Sequence, residues 1–363
     1  MDLYSKERKL LSDALVTIVV PVYNGAPYIN HCVEQIKAQT YKNLEVIFVN
    51  DGSKDNSEQV CRDAIKDDDR FTLINKENGG TSTTRNKGID NAHGRYIAFF
   101  DCDDEYDPEM IATLVSEMEH NNSDMVSCGY FFKVQTENET YLEEKSYSYR
   151  VFPDFDSMKA EYVDIWDSDM LYNIWNKLYR MSVIEKNHIR YREGHVYTED
   201  RVFNRAFIKA CRGVTFINKC LYYYVRERSG STSERYWDKN FEVRDKEYNE
   251  LKAHFKEMHV WNDKSREYVS REFIERVAGC IENVFHAEDS LSSVQKKQLV
   301  RHMVSHPDVR EASQYAKCRS KKMKIIALPI KMNWAFGSYF IGWMIYKVRK
   351  SNPVLFHKLK GRR

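Results

Sequence analysis

No Cys-x-x-Cys pair occurs among the eight cysteines, which stand apart at positions 32, 61, 102, 128, 211, 220, 280 and 318. That spacing excludes a zinc framework and a disulfide scaffold, and it suits a reducing compartment. Glycine and proline are sparse, 14 and 7 of 363 residues, which excludes collagen-like and linker-dominated chains. No stretch reaches the ~20 clean apolar residues of a spanning helix. The amino-terminal MDLYSKERKLLSDA is charged and has no apolar run of the signal-peptide kind. Neither G-x-G-x-x-G nor a P-loop pattern is present, which removes the usual warrants for a dinucleotide or P-loop nucleotide site. Acidic residues stop at Glu311, and thirteen Lys or Arg follow it. The whole chain is +2, so the first 311 residues carry −11. An acidic body with a basic tail points to an anionic partner for the tail, either membrane or nucleic acid.

What is present describes a globular chain. Apolar residues make up 42% and charged residues 30%, and the length is about twice a typical ~150-residue domain. Val16–Val22 is a continuous β-branched run, the pattern of a strand buried on both faces. Helix-like and strand-like segments then alternate: a helix over 27–39, strands at 44–49 and 71–74, helices through 65 and near 83–92, a strand at 96–100, a helix over 108–120 and a strand at 125–131. This order predicts an α/β fold with a mostly parallel central sheet covered by helices. Residues 132–165 lack a clear period and read as an excursion or irregular strands. A helix is expected from Glu199 to Ala210, and a strand from Tyr222 into a basic loop. After about 235 the pattern turns helical, with Phe273, Val277, Ile281 and Val284 on one face.

Polar clusters fall at the carboxyl ends of three predicted strands, where open α/β sheets bind ligands. They are Tyr23-Asn24-Gly25, Asn50-Asp51-Gly52-Ser53 and Asp101-Cys102-Asp103-Asp104. Two carboxylates spaced Asp-x-Asp on a turn suit Mg²⁺ or Mn²⁺, which take oxygen ligands and complete their shell with phosphate and water. Such a cation can neutralise a departing diphosphate. A solvated acidic turn and an ordinary Asp-Gly-Ser turn are the plainer readings of the same residues. Trp175 and Tyr179 fit a sugar-stacking surface or the packed face of a helix at i, i+4 spacing.

The segments VTIVVPVYNGAPYINHCVEQIKAQTYKNLEVIFVNDGSKDNS, NGGTSTTRNKGIDNAHGRYIAFFDCDDEYDPEMI, WNKLYR, TED and YVRERSGS occur in order over residues 14–235. In these motifs the chain closely resembles the inverting family-2 glycosyltransferases of the GT-A fold. The resemblance implies a nucleotide-sugar donor, most often UDP-linked, a divalent metal, and a bacterial cell-surface polysaccharide, teichoic acid or glycolipid product. It implies that Pro21, Tyr23 and Asn24 line the nucleotide pocket, that Asp51 binds the base, and that Arg85 lies near the nucleotide and diphosphate. By the same resemblance Asp101 contacts the ribose or the metal shell, Asp103 ligates the metal, and Asp104 lies near the donor sugar. Asp200 is the expected base, and Arg226 and Arg228 belong to a loop that closes over the diphosphate. Asn50 stands where the family usually has Asp, and Thr84 where it usually has Ala. The implied chemistry is a single displacement with inversion, onto a hydroxyl of a glycan, polyol-phosphate or lipid-linked acceptor. A nucleotidyltransferase and a non-catalytic nucleotide- or sugar-binding module remain the alternatives.

The expected domains are an extension over 1–14, a catalytic domain over 15–235 divided at 131/132, a helical domain over 236–320 and a basic aromatic tail over 321–363. Within that tail, Trp334–Tyr346 is thirteen residues without a charge, flanked by Lys321, Lys322, Lys324, Lys347, Arg349 and Lys350. At ~1.5 Å per residue it is too short to cross a ~30 Å hydrocarbon core. An anionic membrane surface is the expected partner, because Trp and Tyr favour the headgroup boundary and lysines favour anionic lipid. A buried helix and an oligomerisation surface are the rivals. Nucleic acid is not expected, since the aromatics form one block and do not interleave with the basic residues. The expected location is cytoplasmic, peripheral on the inner face of the plasma membrane. Oligomeric state is left open.

Overall fold

Val16–Val22 (β1) is almost wholly buried, as its unbroken apolar run requires. In this computed structural model, residues 13–135, 140–194, 198–226 and 236–351 are described. The chain divides into two compact units, Met1–Arg228 and Ser229–Arg363.

In the first unit β1 is followed by α1 (Ala26–Lys37), β2 (Leu44–Asp51), α2 (Ser57–Ile65), β3 (Phe71–Lys76), α3 (Thr81–Asp90) and β4 (Tyr96–Phe99). Next come β5 (Glu105–Tyr106), α4 (Met110–His120), β6 (Met125–Gln135), β7 (Thr140–Lys145) and β8 (Arg150–Phe152). After two short helices, β9 (Lys177–Arg180), a third short helix (Met181–Lys186), α5 (Glu199–Ala210) and β10 (Val214–Arg226) complete the unit. Among the described residues the strands form one ten-stranded sheet, ordered β3-β2-β1-β4-β9-β6-β10-β5, with β7 on β6 and β8 on β10.

The half from β3 to β4 is parallel, as the alternation of elements predicts. Beyond β4 the sheet is mixed, because β9 inserts antiparallel between β4 and β6. The Trp175-to-Tyr179 segment is therefore not a helix. Trp175 stacks on Tyr222 at 4.2 Å, and Tyr179 is fully buried against Phe203 and Phe207. Both rings are core, which leaves neither face for a sugar. β2 also runs two residues farther than its apolar run, since Asn50 pairs in register with Asn75 and Asp51 with Lys76. Polar side chains thus continue the ladder to the sheet's carboxyl edge.

The second unit is helical. Its helices are α6 (Asn240–Glu257), α7 (Asp263–Asn283), α8 (Ser293–Ser305), α9 (Pro307–Tyr315), α10 (Lys321–Lys331) and α11 (Ala335–Ser351). The Asn262 side chain caps α7 by accepting from the N–H groups of Lys264 and Ser265. The expected stripe Phe273, Val277, Ile281 and Val284 is buried throughout.

Helix α3 lies against β1 with no room to spare. A Cβ at Gly88 would sit 2.2 Å from Val19 Cγ1. We expect Gly88→Ala to destabilise the protein by about 1–3 kcal/mol, because overpacking a stiff Val outweighs the ~1 kcal/mol helical preference for alanine. Urea denaturation measures this, and a raised midpoint would show that the helix has slack.

Candidate active site

The order of parallel strands reverses between β1 and β4, and the loops after β1, β2 and β4 emerge at that point. Such switch points leave a crevice at the carboxyl ends of the strands. Asn24 adopts a left-handed backbone (φ 52°). Its N–H donates to Ser53 Oγ at 3.0 Å, and its Oδ1 accepts from the Lys54 N–H at 2.8 Å. The Asp55 carboxylate accepts from the N–H groups of Ser57 and Ala26, tying the starts of α2 and α1 together. Pro21 is half-buried in β1, while the Tyr23 ring is 50% exposed at the mouth of the crevice.

Asp51 organises the next layer. Its carboxylate accepts from Lys76 Nζ and from the N–H groups of Gly79 (2.9 Å) and Gly80 (2.8 Å). Burial opposes its charge, yet these donors outweigh burial and hold its pKa below the usual carboxylate range. Gly52 (φ 65°) is needed here, since a Cβ would meet the Asn78 N atom at 2.8 Å. Asn50 donates to Asn75 Oδ1 and accepts from Ser53. This position therefore acts as donor and acceptor together, which a carboxylate could not.

Helix α3 starts at this turn and carries Arg85. The guanidinium donates through Nη1 to Asp200 Oδ1 at 2.7 Å and through Nη2 to Asp101 Oδ1 at 3.0 Å. Residues 85, 101 and 200 thus meet at one cation that is only 5% exposed, while each carboxylate is 24% exposed. Burial pushes the Asp200 carboxyl up to about 7, with Glu199 and Asp101 pushing the same way and Arg85 and Lys177 opposing. Despite its own burial, Arg85 is held more firmly protonated by Asp200 and Asp101.

Asp103 is exposed on the turn after β4, two residues beyond Asp101. The two carboxylates supply hard oxygen donors on one loop, which fits Mg²⁺ or Mn²⁺ with phosphate and water completing the shell. Asp104, expected near the donor sugar, is 2% exposed. Its carboxyl accepts from Tyr222 Oη at 2.6 Å and from the Val225 N–H at 2.8 Å. Burial and the nearby Asp101 and Asp103 charges raise its pKa well above the ordinary value. Asp104 thus fastens the acidic loop to β10. That strand ends at Arg226, and Arg228 lies outside the described residues. A three-residue set of metal-ligand type, Asp245, His306 and Asp308, occurs in the second unit.

Four supporting residues escaped the sequence reading. Asn86 exchanges two hydrogen bonds with the Tyr191 backbone (2.8 and 2.7 Å), fixing the chain that leads into α5. Asn204, one turn after Asp200, donates to the carbonyls of Leu171 and Asn173 and accepts from Tyr179 Oη. Lys177 is fully buried, donates to Asn173 O and Asn176 Oδ1, and is pushed down to about 7 by burial. The Tyr191 ring stacks on Phe203 at 4.4 Å and lies 5.4 Å from the Arg85 guanidinium carbon. Their only sequence signal is position: next to Arg85, a turn from Asp200, or a lysine opening the short KLYR strand.

Residues 17–187 match the family described as Glycosyl transferase family 2. The chain is 29% identical over 317 residues to the uncharacterized glycosyltransferase EpsJ of Bacillus subtilis, covering 85% of this chain and 89% of that protein. It is 32% identical over 232 residues to the glycosyltransferase GlyG of Streptococcus pneumoniae, covering 62% of this chain and 74% of that protein. Among solved structures, S. aureus TarS 1–349 in complex with UDP-GlcNAc aligns with a TM-score of 0.64 at 16% identity, covering 92% of this chain and 91% of that one. The shared fold is GT-A.

The electrostatics can be tested without substrate. With aspartate carboxyls carbon-13 labelled, Asp200 is expected to titrate near 7. In Arg85→Met its midpoint should rise further, because the cation that favours the carboxylate is gone. A wild-type midpoint near the ordinary ~3.9 would mean that water reaches the group freely.

Proposed function

Since this chain belongs to glycosyl transferase family 2 and is a glycosyltransferase, we propose that it moves a sugar from a nucleoside-diphosphate donor, UDP-linked, to an acceptor hydroxyl, with inversion. The arrangement that carries this reading is the Arg85 bridge, which joins the Asp200 carboxylate to the acidic loop of Asp101 and Asp103. TarS, of the same fold, is complexed with UDP-GlcNAc, which supports the UDP assignment. The proposed acceptor is a glycan, polyol phosphate or lipid-linked saccharide, met at the inner face of the plasma membrane.

Pro21, Tyr23 and Asn24 wall the nucleotide in this reading. Asp51 faces the base from the end of β2 and already holds the turn that starts α3. Arg226 and Arg228 are proposed to close over the diphosphate. Asp101 and Asp103 would hold a Mg²⁺ or Mn²⁺ ion, which when bound offsets charge on the leaving diphosphate. Asp200 takes the proton of the acceptor hydroxyl as it attacks the anomeric carbon, and the nucleoside diphosphate leaves from the opposite face. A carboxyl titrating near 7 is a stronger base than an ordinary aspartate and is still half ionised at neutral pH. Arg85 binds Oδ1 of Asp200, so Oδ2 lies outside the bridge for that proton. The base works ionised, so transfer falls as pH drops through about 7.

Asp200→Asn is expected to cut turnover by roughly 10²–10⁴-fold while donor affinity in calorimetry stays within a few-fold. Retention of most of the turnover would remove Asp200 as the base. Asp103→Ala is expected to abolish the gain in UDP affinity that Mn²⁺ gives the native protein. Equal affinities with and without Mn²⁺ in the native protein would sink the metal assignment.

A further inference from the structure

Helices α10 and α11 are built inside out. Their small side chains face inward: Ala327, Gly337, Ser338 and Gly342 are buried, as is Ile330. A Cβ at Gly342 would come within 2.6 Å of Ile281, so α11 meets α7 with almost bare backbone. Tyr339 and Tyr346 also pack inward, on Phe285, but most of the other large side chains face water. Of fifteen large apolar residues exposed among the described residues, eight fall between 325 and 344. Ile325 (66%), Phe336 (67%) and Met332 (65%) are as open as surface lysines usually are. Monomeric soluble proteins do not leave so contiguous a stretch of chain apolar without a use for it.

The spacing orders these residues into stripes. Ile325, Leu328 and the C-capping Met332 recur at i, i+3, i+7 along α10, and Phe336, Phe340 and Trp343 at i, i+4, i+7 on α11. Each stripe ends in an exposed lysine, Lys321 four residues before Ile325 and Lys347 four residues after Trp343. Lys324 is also exposed, and no acidic residue occurs after Glu311 to balance any of them. Two copies of this face brought together would therefore bring lysines toward lysines, with no acidic residue on either helix to offset them. An anionic headgroup layer compensates them, and its hydrocarbon edge accepts the aromatic rings. Among the described residues no helix is long and apolar enough to cross a membrane.

The geometry points to α10, α11 and the link between them as an in-plane docking face for an anionic lipid bilayer, entered by Ile325, Leu328, Met332, Trp334, Phe336, Phe340, Trp343 and Met344. This deepens the membrane location within the proposed function and names the side chains that enter the lipid. Trp334 and Trp343 then sit at the depth where indole rings bridge headgroup and hydrocarbon.

The test uses the full chain with no donor or acceptor, so its failure would leave the transferase reading untouched. Vesicles of phosphatidylglycerol and phosphatidylcholine are sedimented with the protein and compared with vesicles of phosphatidylcholine alone. Binding is expected to be at least tenfold stronger to the anionic vesicles and to weaken in 0.5 M salt. Brominated acyl chains should quench tryptophan fluorescence in the native protein. The triple variant Phe336→Ser, Phe340→Ser, Trp343→Ser should lose at least tenfold in binding with its melting temperature preserved. Should that variant not fold, Lys321→Glu, Lys324→Glu, Lys347→Glu should lose the preference for anionic vesicles. No binding by the native chain, no quenching, or unchanged binding in a folded variant overturns the proposal. So does a dimer in sedimentation equilibrium that the triple variant dissolves while vesicles go unbound, since the face would then serve a second copy.

Discussion

One buried guanidinium decides what this candidate site can be. Arg85 lies between Asp101, on the loop after β4, and Asp200, in the first turn of α5 and 115 residues beyond the arginine. Without it two carboxylates would share a poorly hydrated crevice, where like charges repel and each ion pays several kcal/mol of desolvation. A cation at ~4 Å returns about 4 kcal/mol per pair at an effective dielectric near 20. For Asp200 the balance still falls on the side of burial, so its carboxyl titrates near 7 and not lower. In the proposed reaction its partial exposure would let an acceptor hydroxyl approach, and its incomplete compensation would suit it to act as the base.

The rest of the first unit holds that bridge in place. Gly88 lets α3 lie on β1, Asn86 clamps the backbone at Tyr191, and Asn204 ties α5 to the 171–173 segment. Phe99, Tyr179, Tyr191 and Phe203 pack edge-to-face and stacked beneath it, at centroid distances from 4.4 to 6.1 Å. Asp51 makes the same point with the opposite sign. It is as buried as Arg85, yet two backbone N–H groups and Lys76 keep it ionised. Aspartates in one crevice thus have different acidities because one is surrounded by donors and the other by apolar rings and further carboxylates. One organises a turn as a permanent anion, and the other has the acidity that the proposed proton transfer needs.

Long uniform runs made the parallel half legible from sequence. Val16–Val22 and Leu44–Val49 are β-branched and apolar because both sheet faces are covered, and polar residues cluster where those runs stop. β9 was not legible. Four residues, one of them a lysine, carry no period, and the strand exists because β4 and β6 each offer it an edge. Asp104 is a related case, since nothing local separates it from Asp101 and Asp103. Only the return of β10, placing Tyr222 and the Val225 N–H beside it, turns a third loop carboxylate into a buried fastener. The Arg85 bridge was equally hidden, because it joins positions 16 and 115 residues apart whose proximity is a property of the folded sheet.

Charge placed along the chain adds a constraint that the active site alone does not. Residues up to Glu311 sum to −11, and the thirteen Lys and Arg that follow have no acidic residue among them. An anionic surface repels the former and attracts the latter, and both effects fade within a Debye length of about 8 Å in physiological salt. Attraction can therefore win only by contact, which apolar side chains at the surface of α10 and α11 make possible. A basic tail without them would give weak, salt-sensitive association, and apolar rings without lysines would not distinguish one bilayer from another. Helices that pack partly through glycine and alanine, with Tyr339 and Tyr346 turned inward onto Phe285, leave phenylalanine and tryptophan outside and so combine the two.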